Sequence, residues 1–227
     1  MPRTASAARP KAPTRRAAAA TGPADGATRQ AVIEAAVACI LECGFYRAST
    51  NEIARRAGVT WGVIQHYFGT REKLMLAVLE HGGQTFSELV DSAEIQGDTT
   101  EERIGSLVDI LCSHYANPYY LADLQVLLNL DHDPRTSVEV RKSLHAVATR
   151  SSQSMRRLIR DALGPAAAER DLPEMIFNAI RGFALSEQLF GVMSYDMLPP
   201  KGKEIPARQR RLFIQLISQF VDASARG

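Results

Sequence analysis

From residue 28 onward, apolar residues return at three- and four-residue steps. Ile33, Ala36, Val37, Ile40 and Leu41 form one such stripe, and Gly44 offers it a C-cap. Ser49-Thr50-Asn51-Glu52 then reads as a capping box, with Ser49 capping a new helix and Glu52 reaching back. That helix is short, ending at Ala57 before Gly58. Thr60 caps a second short helix to about Phe68. Thr70 caps a longer one that places Leu74, Val78 and His81 on one side and holds Gly82-Gly83 as a point of bending.

The same period continues to the end of the chain. Thr99 or Thr100 opens a helix carrying Ile104, Leu107, Val108, Leu111 and Cys112. Pro118 opens another with Leu121, Leu124, Gln125 and Leu128. Asp133-Pro134 reads as a cap and N1 proline for a long helix to about Leu163. Asp171-Leu172-Pro173 opens a helix to about Met193, the stretch 198–202 is a loop, and the last helix spans roughly 207–223. No segment alternates as a strand does. The expected fold class is all-α, with about nine helices. Three regions are expected: a disordered tail at 1–27, a small head at 28–81 and a larger helical bundle at 82–227.

Composition adds limits. Of 227 residues, 45% are apolar and 23% charged, ordinary for a globular protein. No apolar run approaches the roughly 20 residues of a membrane span. The N-terminus lacks the apolar stretch of a secretory signal. An odd number of cysteines makes no disulfide framework, so a cytoplasmic protein is expected. The net charge is only +2, but Arg3, Arg9, Lys11, Arg15 and Arg16 crowd one end against Asp25. That basic tail is either a solvated passenger or an arm along a polyanion such as DNA.

Two short helices joined through Gly58-Val59 suit a helix-turn-helix at residues 49–68. Glycine tolerates the positive φ of the turn. Ile53, Ala54, Ala57, Val59 and Ile64 are small or apolar where the two helices would lock. The second helix then exposes Thr60, Trp61, Gly62, Val63, Gln65 and His66. Gln and His suit base edges or phosphates, Trp and Val a thymine methyl, and Gly62 allows close approach. With few cations present, phosphate grip falls to hydroxyls, capped helix starts and Arg71. On spacing alone, a plain pair of core helices accounts for the pattern equally well.

The residues themselves tip that balance. Thr50-Asn51-Glu52-Ile53-Ala54-Arg55-Arg56-Ala57-Gly58-Val59-Thr60-Trp61-Gly62-Val63-Ile64, then His66-Tyr67-Phe68 and Thr70-Arg71-Glu72-Lys73-Leu74, resemble the DNA-binding domain of the TetR (tetracycline-repressor-type) family. The resemblance covers 28–81. It implies a homodimer on a palindromic double-stranded DNA operator, with a small ligand in the C-terminal domain altering the spacing of two reading heads. It assigns Thr50, Thr60, Tyr67 and Arg71 to phosphate, and Trp61, Gly62, Val63, Gln65 and His66 to bases. Gln65 replaces a usual tyrosine, and Trp61 a frequent basic residue or proline, which leaves the operator sequence open.

The remaining constellations are plainer. Cys39 and Cys43 sit four apart and are either one edge of a metal or redox site or packed thiols, with no histidine pair beside them. No metal site and no cofactor are expected. Tyr115, Tyr119 and Tyr120, with Leu124, Leu128, Met155, Phe177 and Phe183, are the candidate wall of a small, largely apolar ligand; the alternative is plain core. Ile180, Leu189, Phe213, Leu216, Ile217 and Phe220, on the last two helices, are the candidate dimer contact. His81, His114, His132 and His145 are read as surface or satisfied core residues. No phosphate-binding glycine loop, nucleophile elbow or His-Glu-x-x-His is present, so an enzyme is not expected. The sum is a ligand-responsive regulator, a repressor in the first instance. The alternatives are an activator and a helical ligand-binding protein without DNA function.

Overall fold

A computed structural model describes residues 23–189 and 204–225. Nine α-helices occur among them: α1 Pro23–Cys43, α2 Thr50–Ala57, α3 Trp61–Phe68, α4 Arg71–Ser92, α5 Thr100–Tyr115, α6 Pro118–His132, α7 Val138–Leu163, α8 Leu172–Leu189 and α9 Glu204–Ser224. The described residues contain no strand, as the apolar period requires. No described helix is long and apolar enough to cross a membrane. The tail expected at 1–27 lies outside the described residues up to position 22, and α1 begins at Pro23 instead of Thr28.

Local signals set most helix ends. Gly44 and Gly58 take positive φ, +85° and +67°, directly after α1 and α2. Asn117 caps α6 ahead of Pro118. Thr99 forms a full capping box with Glu102 at the start of α5. The box expected at Ser49 is half made. Ser49 Oγ accepts from the Glu52 N–H at 3.3 Å, but Glu52 is held by Arg55 and Arg56 at 2.7 Å each and does not reach back. Those two guanidinium groups hold the Glu52 carboxyl down at about 2. The long helix α7 begins at Val138, capped by Ser137; Asp133 instead closes α6 and bonds the Arg135 N–H at 2.9 Å. The loop at 198–202 and Met193 lie outside the described residues.

The core divides differently from the chain. One cluster joins α1–α3 and the first half of α4 to Ala122, Val126 and Leu130 of α6 and Val140, Leu144 and Val147 of α7. The other gathers Phe86 and Val90 of α4 with α5, the second half of α7, α8 and α9. Helix α4 runs unbroken through Gly82-Gly83 and takes part in both. The Phe45 N–H also donates to Gln125 Oε1 at 3.2 Å, and Lys73 pairs with Glu139 at 3.6 Å. The head is therefore seated on the body through α4, α6 and α7, and a shift in α6 or α7 is felt at the head.

Candidate functional site

The helix-turn-helix comes from α2 and α3. Ile53 and Ala54 of α2 and Ile64 and Phe68 of α3 are buried, which turns the opposite side of α3 to solvent. Trp61 is 53% exposed, far more than a tryptophan usually tolerates. Gly62, Gln65 and His66 are exposed beside it, and Val63 is half-buried. Thr60 stands in the N-cap position of α3 with extended backbone, yet its side chain makes no cap bond. Its hydroxyl and the first N–H groups of α3 thus point outward at a positive helix end. Thr50 is half-buried at the start of α2.

Two residues expected at phosphate are occupied otherwise. Arg71 is drawn inward: Nε donates to the Ala48 carbonyl at 3.1 Å and Nη2 to the Phe45 carbonyl, and the guanidinium lies 4.5 Å from the Phe45 ring centroid. It fixes the loop between α1 and α2, whose two carbonyls have no other helical donor. Tyr67 donates its hydroxyl to Asp25 in the first turn of α1, and the carboxylate beside it raises the phenol pKa. Both placements depend on contacts 23 or more positions away, which no local pattern carries.

The body contains two adjoining cavities of about 200 and 210 Å³. Of the residues expected at a ligand wall, Tyr115, Tyr120, Leu124, Met155 and Phe177 line the first. Tyr119 lines the second and is 46% exposed. Leu128 lines neither cavity and is 50% exposed on α6. Phe183 also lines neither cavity and packs edge-on against Phe213, 5.3 Å between centroids. Sequence reasoning missed Gly82, His114 and Asp123, which line both, and Arg181, which lines the first. His114 lies against the Phe86 ring at 4.4 Å and the Tyr120 ring at 5.6 Å, and burial pushes its pKa down to about 4. Burial pushes Asp123 up to about 8. A half-buried histidine and a half-buried acid on the α5 and α6 walls, both with shifted pKa, are a signal of a binding site that only the packing of the helices discloses.

A third surface lies on the last helix. Leu212, Leu216 and Phe220 of α9 are 56%, 56% and 47% exposed and recur every four residues, so they form one apolar stripe. Met175 of α8 is 53% exposed. Of the residues expected at a dimer contact, Ile180 and Ile217 are buried in the core of their own chain, and Phe213 is half-buried against Phe183. The Leu189 side chain lies outside the described residues. Cys39 is buried, and the Cys43 thiol donates to the Cys39 carbonyl at 2.9 Å; no group of metal-ligating side chains occurs among the described residues.

Known proteins share this architecture. Residues 32–78 match the sequence model of "Bacterial regulatory proteins, tetR family". A regulator named BetI 2 from Chromohalobacter salexigens is 34% identical over 86 residues, 36% of this chain and 40% of that one. The regulator BetI of Rhizobium meliloti is 27% identical over 161 residues, 71% and 78% of the two chains. The first-ranked relatives are thus matched over about 40% of their length. Among solved structures, a transcriptional regulator from Rhodococcus sp. Rha1 superposes with a TM-score of 0.62 at 20% identity, covering 84% of this chain and 96% of that one. FadR of Bacillus subtilis, solved with stearoyl-CoA, gives 0.54 at 17% identity over 85% and 96%. At such identities the likeness is one of fold.

Proposed function

We propose that this chain is a transcriptional regulator of the tetR family, a cytoplasmic repressor that leaves a palindromic operator when a small, largely apolar ligand enters the body. The observation that carries the DNA reading is the outer row of α3. Trp61, Gln65 and His66 are exposed while Ile64 and Phe68 hold the helix in place. A free-standing row of base-reading side chains on a well-anchored helix suits a major groove. Thr60 and Thr50 are assigned to flanking phosphates. Arg71 and Tyr67 act at one remove, by holding the loop before α2 and the end of α3.

Two copies are needed to span a palindrome. The α9 stripe of Leu212, Leu216 and Phe220, with Met175 of α8, supports a four-helix contact between subunits. The ligand reading is supported by the two cavities, the first lined by α4–α8 and the second by α1, α4, α5 and α6, and by the fold's receipt of stearoyl-CoA in FadR. The test is retardation of DNA from upstream of the chain's own gene by the purified protein. A sequence-specific complex of two chains per site supports the reading, and binding indifferent to sequence overturns it. A reporter on the same promoter, with and without the gene, gives the sign of regulation.

A further inference from the structure

The two cavities of the body share the side chain of Asp123. Its carboxylate has no hydrogen bond and no ion pair among the described residues. Asp123 is half-buried at the cavity wall, where a carboxylate without a protein partner is open to a charge from outside the chain. Ring systems gather around it: Tyr115 and Tyr120 meet at 4.7 Å, His114 lies 5.0 Å from Tyr115, and Phe86 backs His114. Electron-rich rings and one carboxylate able to ionise on binding suit a positive, weakly hydrated head group.

We propose that the joined cavity binds a small organic cation, its charged head against Asp123 and its apolar body along the aromatic wall. The inference rests on the reading of the body as the ligand-binding part, and names the ligand's class. The other charged and titratable groups facing this space agree with it. Glu34 of α1 and His81 of α4 line the second cavity. His114 of α5 is kept neutral by burial. Tyr115 and Tyr120 are uncharged, their phenols raised by burial. From α7 the wall offers Ser151 and Ser152. Among the described lining residues the permanent cation is Arg181 on the α8 wall, 4.8 Å from the Phe177 ring centroid, bonded to Asn178 at 3.0 Å and engaged with the Tyr120 hydroxyl. Asp123 also touches Gly82 of α4, the helix that begins in the head, so a ligand drawing on the carboxylate acts directly on that helix.

Proton linkage gives this class a signature. The free protein holds a proton on Asp123 at neutral pH, and a cation must displace it. Affinity for a cation should rise about tenfold per pH unit toward pH 8 and level off above it, whereas a neutral ligand lacks that slope.

The experiment is calorimetric titration of the full chain with benzyltrimethylammonium, the neutral N,N-dimethylbenzamide and the phenylmethanesulfonate anion. The expected result at pH 8 is cation binding at least about tenfold tighter than either other probe. Asp123→Asn should remove that preference while leaving the amide's affinity unchanged. The pH profile of the unaltered protein is the independent measurement should the variant fold poorly. Cation binding no tighter than the amide's, or unaffected by Asp123→Asn, or flat between pH 6.5 and 8, overturns the cation assignment and leaves the ligand cavity standing. Failure of all three probes to bind overturns the cavity reading and the assignment with it.

Discussion

The Asp123 carboxylate occupies the space in which a side chain at residue 82 would begin: a Cβ built on Gly82 comes within 1.9 Å of Asp123 Oδ2. Glycine is therefore required at this crossing of α4 and α6 by the neighbour and not by backbone conformation. Gly82→Ala should destabilise the fold by about 1–3 kcal/mol through overpacking. In an Asp123→Ala background the same change should be neutral, or stabilising by up to about 1 kcal/mol, because alanine is the better helix former. Denaturant unfolding of the four proteins measures the coupling. Equal effects in both backgrounds would place the carboxylate elsewhere.

The two half-buried titrating groups of the cavity predict a pH profile. Asp123 is raised in the fold from 3.8 to about 8, so its contribution is greatest at low pH and is lost as pH rises through 8. His114 is lowered from 6.5 to about 4, so its contribution is absent in acid and is gained as pH rises to 6.5. The two oppose one another below 6.5. Between 6.5 and 8 Asp123 acts alone, and stability should fall with a slope approaching about 1.4 kcal/mol per pH unit. Thermal melts of Asp123→Asn should lack this decline.

Two helix starts in the head look alike in sequence and differ in use. Ser49 bonds the Glu52 N–H, whereas Thr60 bonds no cap donor. Ser49→Ala should cost about 0.5–2 kcal/mol of stability. Thr60→Ala should leave the melting temperature unchanged and weaken operator binding by about 1 kcal/mol. A melting temperature lowered equally by both substitutions would return Thr60 to a purely structural role.

Gln65 is exposed on α3 next to buried Ile64. Gln65→Ala should keep the fold and weaken binding to the true operator by about 1–3 kcal/mol, the worth of a good base contact. Binding to unrelated DNA should be unaffected. If affinity for the operator is retained, Gln65 leaves the base-reading set.

On α9, Leu216 and Phe220 face outward, while Phe213 packs against Phe183. Leu216→Glu combined with Phe220→Glu should yield folded monomers by light scattering, with the loss of operator binding expected of a lone head. Phe213→Glu should instead unfold the chain, because it places a charge in its own core. A doubly substituted protein that remains dimeric would move the contact off this stripe.

What the sequence determined by itself is what neighbouring residues decide among themselves. Gly44, Gly58, Pro118 and Thr99 end or begin helices through backbone conformation and bonds spanning a few positions, so these limits were legible. The outward row of α3 was legible too, because burial of Ile64 fixes by helical period which neighbours face away. The tertiary structure decided matters that depend on which helices cross. Asp133-Pro134 carries a helix-start signal, yet it became the end of α6 while Ser137 took the cap. Arg71 was drawn to carbonyls at residues 45 and 48, and Tyr67 to Asp25. Leu128 and Leu124 belong to one apolar series, but only Leu124 meets the cavity, because α4 and α7 cover one side of α6 and not the other. Asp123 lies in the same turn; its half-burial, and the raised pKa that follows, exist only because Gly82 lets α4 come close.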